Sequence, residues 1–65
     1  MQKIIIESTG DEFWNRVSDA LKSEQGIVHG RELRDGVVHY NANFPKYGGL
    51  FLGIPETVVT VVEQL

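Results

Sequence analysis

From Phe13 to Leu21 the apolar residues Phe13, Trp14, Val17, Ala20 and Leu21 recur at helical spacing, with polar residues between them. This stripe constrains the fold more than any other feature, because a helix with one apolar face must lay that face on something. The segments on either side of it are strand-like. Ile4-Ile5-Ile6 precedes it, and Val38, Tyr40 and Ala42 alternate after it. β-branched and aromatic residues fit a pleated surface. The expectation is an α+β domain of two layers, a helix on a sheet.

The helix ends carry their own signals. Thr9-Gly10-Asp11-Glu12 matches the capping-box pattern, in which the first and fourth residues satisfy each other's backbone N–H groups. Asp11 and Glu12 suit the positive end of the helix dipole. Glu12 and Arg16 stand four apart, a favourable charge pair. Gly26 offers a stop. These signals predict a helix over 10–25 that packs through Phe13, Trp14, Val17, Ala20 and Leu21.

Strands are expected over 3–8, 27–33 and 37–42. Asp35-Gly36 between the last two is a hairpin turn signal, since glycine supplies positive φ without a steric cost. Two registers are open. A two-residue turn pairs Arg34 with Val37 and Glu32 with His39, and leaves His29 on the other face. A bulged three-residue turn pairs Leu33 with Val37 and puts the two histidines on one face. In both, Val38, Tyr40 and Ala42 share the face that meets the helix. Residues 43–49 read as a loop on the strength of Pro45, Gly48 and Gly49, and 50–54 as a short strand.

The tail pulls two ways. Val58, Val59, Val61, Val62 and Leu65 follow helical spacing, and Pro55 suits a first helical position. Yet 57–62 is entirely β-branched, which favours a strand. The spacing decides for a helix over 55–65, giving the order β-α-β-β-(β)-α. A C-terminal strand, β-α-β-β-β-β, is the alternative.

Size and composition bound the function. A chain of 65 residues is one domain, 1–65, and buries only about 60% of its unfolded surface. Without cysteine it has neither a disulfide nor a thiolate metal site, so association with a partner is the remaining common staple. A hydrophobic share of 42% at a net charge of -3 fits a globular domain, not a disordered one. No apolar run approaches the roughly 20 residues of a membrane span, and the expected setting is cytoplasmic.

No catalytic pattern stands out. His29, His39 and Glu32 could suggest a metal or acid–base site, but neither register brings all three together. No serine sits in a Gly-x-Ser-x-Gly elbow. Gly48, Gly49 and Gly53 do not form a phosphate loop. The expectation is no enzyme, no cofactor and no metal.

The suggestive stretch is 31–47 and its neighbourhood, where arginines and aromatics cluster as they do at protein interfaces. The candidate partner-binding residues are Arg31, Arg34, Phe44, Lys46, Tyr47 and Phe51. Phe44 and Phe51 have a second reading as residues closing the core. The expected function is a small protein-binding module, an inhibitor or regulator that docks on a larger protein. The alternative is a nucleic-acid-binding accessory protein, because basic and aromatic residues interleave there. Three basic residues against two acidic ones in that stretch make a weak electrostatic footprint. A symmetric homodimer is the simplest cover for the sheet face that one helix leaves bare.

Overall fold

The computed structural model describes residues 2–64. Strand β1 (Gln2–Ile6) leads into helix α1 (Glu12–Leu21), and strands β2 (Gly26–Arg34), β3 (Val37–Phe44) and β4 (Gly49–Pro55) follow as a meander. A 3-10 turn, Glu56–Val58, then delivers strand β5 (Val59–Gln64). The sheet is antiparallel, in the order β4-β3-β2-β1-β5, so the last strand returns to lie beside the first. The α+β expectation holds in this form: one helix on a five-stranded sheet.

The tail is a strand, and the expected C-terminal helix over 55–65 does not form. Val59 faces Ile6, Thr60 faces Ile5 and Val61 faces Ile4, after which the register shifts and Glu63 faces Lys3. Val62 is the extra residue of a β-bulge. The bulge explains the helix-like spacing, because one inserted residue breaks the alternation of an otherwise regular strand. β-branching and the open edge of β1 outweigh the apparent period. Leu65, also assigned to the apolar face of that helix, lies outside the described residues.

Helix α1 is shorter than 10–25. Its cap is Asp11, whose carboxylate accepts from Trp14 N–H at 3.1 Å. The Thr9/Glu12 capping box is not formed: Glu12 instead binds Arg16 at 2.7 Å, the pair expected from spacing. At the other end Lys22 (φ 52°) and Ser23 (φ 63°) take left-handed conformations, and Lys22 N–H closes the last turn on the Ser18 carbonyl. Gly26 stops nothing, since it belongs to β2. Trp14, Val17 and Leu21 meet the core, while Phe13 (63% exposed) and Ala20 face solvent. The packed seam is narrower than the stripe, as a helix of ten residues on a curved sheet allows. The Phe13 ring stands edge-on to Trp14 instead, with centroids 5.0 Å apart.

The hairpin takes the two-residue register, with Arg34 opposite Val37 and Glu32 opposite His39. Asp35 (φ 50°) and Gly36 (φ 78°) both have positive φ, the turn geometry whose twist matches paired strands. Strand β3 extends through Asn43 and Phe44, and β4 begins at Gly49, so only residues 45–48 of the expected loop 43–49 are turn.

Two further bulges bend the sheet. His29 is the extra residue in β2, and Leu52-Gly53 of β4 oppose the single Asn41 of β3. Gly53 has φ 72°, and its N–H donates to Asn41 Oδ1 at 2.9 Å. The effect is visible in the β4–β5 connection. In a flat sheet of five strands the edges lie about 19 Å apart, but the chain from Pro55 to Val59 spans at most about 15 Å. The sheet is therefore coiled, and bulges, which raise local twist, are how it coils. Ile4, Ile6, Tyr40, Ala42, Phe44, Ile54 and Val58 fill its concave side with Leu21 from the helix. Val38, Tyr40 and Ala42 share this side, as alternation predicted.

Candidate functional site

Among the described residues no helix covers the convex side of the sheet. Over β2, β3 and β4 this side forms a shallow depression of about 490 Å³, lined by His29, Gly30, Asn41, Asn43, Leu50 and Leu52. The bulges build it. Inserting His29 into β2 resets the side-chain alternation, so His29 lines the same surface as Asn41 and not the opposite one. On β4, Phe51 faces inward against Phe44 (centroids 5.4 Å apart), which turns Leu50 and Leu52 outward. These leucines are 58% and 68% exposed. β4 is the last strand of the sheet on this side, so one flank of the depression is open.

Next to the depression, towards the hairpin tip, lies a polar group. Arg34 donates to Glu32 at 2.9 Å. That hydrogen bond, with the arginine charge behind it, holds the Glu32 carboxyl below its ordinary pKa, and Asn41 and His39 act in the same direction. His39 Nδ1 lies 2.9 Å from the Val37 carbonyl oxygen, which can only accept, so Nδ1 carries the proton in this geometry. Among the described residues no group of three His, Cys, Asp or Glu side chains is placed to hold a metal ion.

The six residues singled out in the sequence do not form one surface. Arg34 sits beside the hairpin turn, whereas Lys46 and Tyr47 belong to the β3–β4 turn at the other end of β3. Eight residues of strand separate the two ends, about 26 Å at ordinary rise. Arg31 is exposed but opposes Tyr40, on the face opposite to Arg34. Phe44 is fully buried and packs on Gly26, which removes it from any contact surface. Phe51 is half-buried between Phe44 and Tyr47. Tyr47, at 54%, is the exposed aromatic of the set.

The β3–β4 turn is held from behind. Glu24 accepts from Lys46 N–H at 2.7 Å and from Tyr47 N–H at 3.2 Å. This carboxylate ties the segment after α1 to the turn that presents Lys46 and Tyr47.

Sequence reasoning passed over His29, Asn41, Asn43, Leu50 and Leu52 as a surface. A signal for the leucines was present. In Leu50-Phe51-Leu52, an inward Phe51 forces both leucines outward. His29 carried no such signal, because its placement follows from a bulge.

Among the described residues no helix is long and apolar enough to cross a membrane. Comparison with known protein families, with curated proteins and with solved structures finds no match to this chain.

Proposed function

We propose that the protein is a non-enzymatic protein-binding module, a small cytoplasmic inhibitor or regulator that docks on a larger protein through the convex face of its sheet. The observation that carries this reading is the pair Leu50 and Leu52, exposed beside a depression whose other walls are asparagine, histidine and glycine. Large apolar side chains held outward next to a concavity are what a protein interface buries, with polar groups at the rim. The lining suits an apolar side chain of the partner against the leucines and polar contacts to Asn43 and His29.

The geometry favours this over nucleic acid. Base recognition of single strands needs aromatic platforms next to a basic track. Here Tyr47 and Lys46 lie at one end of β3 and Arg34 at the other.

The test is comparative capture from host lysate with wild type and with His29→Glu, each with and without nuclease and at two salt concentrations. His29 is exposed in a central strand, so the charge falls in the depression without disturbing the core. The expected result is a protein retained by wild type after nuclease and higher salt, lost with His29→Glu, and cross-linked to the Leu50–Leu52 segment. Equal capture by both overturns the surface. Recovery abolished by nuclease transfers the function to nucleic acid.

A further inference from the structure

We propose that the depression over Gly30 is a socket for one aromatic side chain of the partner, and that residue 30 is glycine to leave room for that ring. This names what enters the docking face, and it rests on the docking reading.

The fold itself does not ask for glycine at this position. Gly30 lies inside β2, opposite Asn41. Glycine within a strand weakens it, because the backbone loses more freedom and no side chain packs. Gly36, Gly48 and Gly53 have positive φ, and Gly30 does not. An L side chain would therefore meet no backbone strain there. The bulge at His29 does not need it either, since the bulge that favours glycine holds it in the left-handed region. Nor does space exclude a side chain. A Cβ at Gly30 would meet a single atom within 4 Å, Asn41 Nδ2 at 3.9 Å, which is an ordinary contact.

The other glycines of the strands each have a reason. Gly53 has positive φ. Gly26 lies under the Phe44 ring, whose Cζ would stand 2.5 Å from its Cβ. Gly49 has Tyr47 Cδ2 at 3.4 Å and Phe51 Cε1 at 3.7 Å from the same point. Where an extended glycine bares the backbone of this sheet, an aromatic ring lies against it. Such a ring restores the packing and the shielding from water that a missing side chain leaves out. Among the described strands only Gly30 has neither positive φ nor a ring, and it lines the depression.

The lining sets the chemistry of the occupant. Leu50 and Leu52 stand across β3 from Gly30, two strand spacings or roughly 10 Å away. That gap suits a long flat ring lying on Gly30 better than a compact aliphatic group. The lining holds no carboxylate, ammonium or guanidinium group, and the neighbouring Glu32 and Arg34 bind each other at 2.9 Å. The occupant is therefore uncharged. Asn43 and His29 offer polar contacts to a phenol hydroxyl or an indole N–H, and tyrosine and tryptophan are the residues that most often anchor interfaces. A nucleobase arrives with a phosphate, and no lysine or arginine lines the depression to meet it.

The experiment titrates the full chain with N-acetyltyrosinamide, following backbone amides by NMR, alongside urea unfolding of Gly30→Ala and Gly30→Val. Saturable shifts at Gly30, Asn43 and Leu52 are expected, with a millimolar dissociation constant. They should exceed those given by N-acetylleucinamide and vanish in Gly30→Val. Both variants are expected to unfold at the same urea concentration as wild type or a higher one, since φ and space admit a side chain. Absent shifts, equal shifts with the leucine analogue or equal shifts in Gly30→Val overturn the inference. So does a lower urea midpoint in Gly30→Ala, which assigns the glycine to the fold. Tighter binding of oligothymidylate at the same amides overturns it too, and assigns the socket to nucleic acid. Lysate capture separates the two readings. Loss with both Gly30→Val and His29→Glu supports the ring. Loss with His29→Glu alone overturns the ring and keeps the docking face, and retention by both variants removes both.

Discussion

The Phe44 ring lies directly on the backbone of Gly26: a Cβ placed at that glycine would stand 2.5 Å from Phe44 Cζ. The contact joins the first residue of β2 to the last residue of β3 at the heart of the core. Phe44 has no exposed surface, and its ring also makes a T-shaped contact with Phe51. Gly26→Ala must displace this ring or the strand beneath it. The expected loss is about 1–3 kcal/mol, the usual cost of overpacking, read as a lower urea midpoint. An unchanged midpoint would mean that the ring has room to move.

The cap of α1 is Asp11, and two substitutions separate it from the residue that the capping-box pattern nominates. Asp11→Ala leaves Trp14 N–H without its acceptor and should cost about 1 kcal/mol. Thr9→Ala should stay within about 0.5 kcal/mol, as exposed substitutions without a partner do. Thermal unfolding of both variants decides; the reverse ranking would return the cap to Thr9.

Glu24 holds the β3–β4 turn through the backbone N–H groups of Lys46 and Tyr47. Glu24→Ala should accelerate amide hydrogen exchange at both positions and cost roughly 1 kcal/mol, since the bonds are open to water. Glu24→Gln keeps one acceptor oxygen and should fall between alanine and wild type. Exchange at residues 46 and 47 that ignores the substitution would show that the turn holds without this carboxylate.

Glu32 is bound by Arg34, and its carboxyl is lowered from its ordinary value of 4.5 by that hydrogen bond first and by the arginine charge second. A carboxyl lowered on folding contributes stability that is fully present above its unfolded pKa and disappears as pH falls through the lowered folded value. The window is therefore the acid side of 4.5, and neutral pH leaves the pair intact. A carbon-detected NMR titration should place the Glu32 midpoint below that of an unpaired glutamate, and Arg34→Ala should return it. Because the pair is half-exposed, the effect on unfolding free energy should be small and should shrink with salt. A midpoint unaffected by Arg34→Ala would assign the shift to Asn41 or His39.

Several elements were legible in the residue order, and they share a cause. The hairpin turn is stated by Asp35-Gly36, because its positive φ values are demands on those two residues alone. The helix is stated by Trp14, Val17 and Leu21 together with an acidic start. The shared inward face of Val38, Tyr40 and Ala42 follows from the two-residue period of a strand. The misread features also share a cause. Val61-Val62 and Val28-His29 break the strand period through bulges, and a broken strand period resembles a helical one or reverses a face. The expected contact set failed differently. Arg34 and Tyr47 are close in the chain, but a strand laid between them carries them to opposite ends of the sheet.

Local conformation in this protein is thus written in neighbouring residues: a turn, a capped helix and alternating strands answer to steric and hydrogen-bonding preferences that act over a few positions. The fate of the tail and the existence of a candidate surface are not local properties. Val59 to Val61 are extended because Ile6 to Ile4, at the other end of the chain, offer an unpaired edge and a core to complete. His29, Asn43, Leu50 and Leu52 meet because three strands are brought side by side and bulged. The hydrogen bonds and buried area that favour both arrangements come into being only when distant segments pair, so their free energy has no counterpart in any short stretch of the sequence.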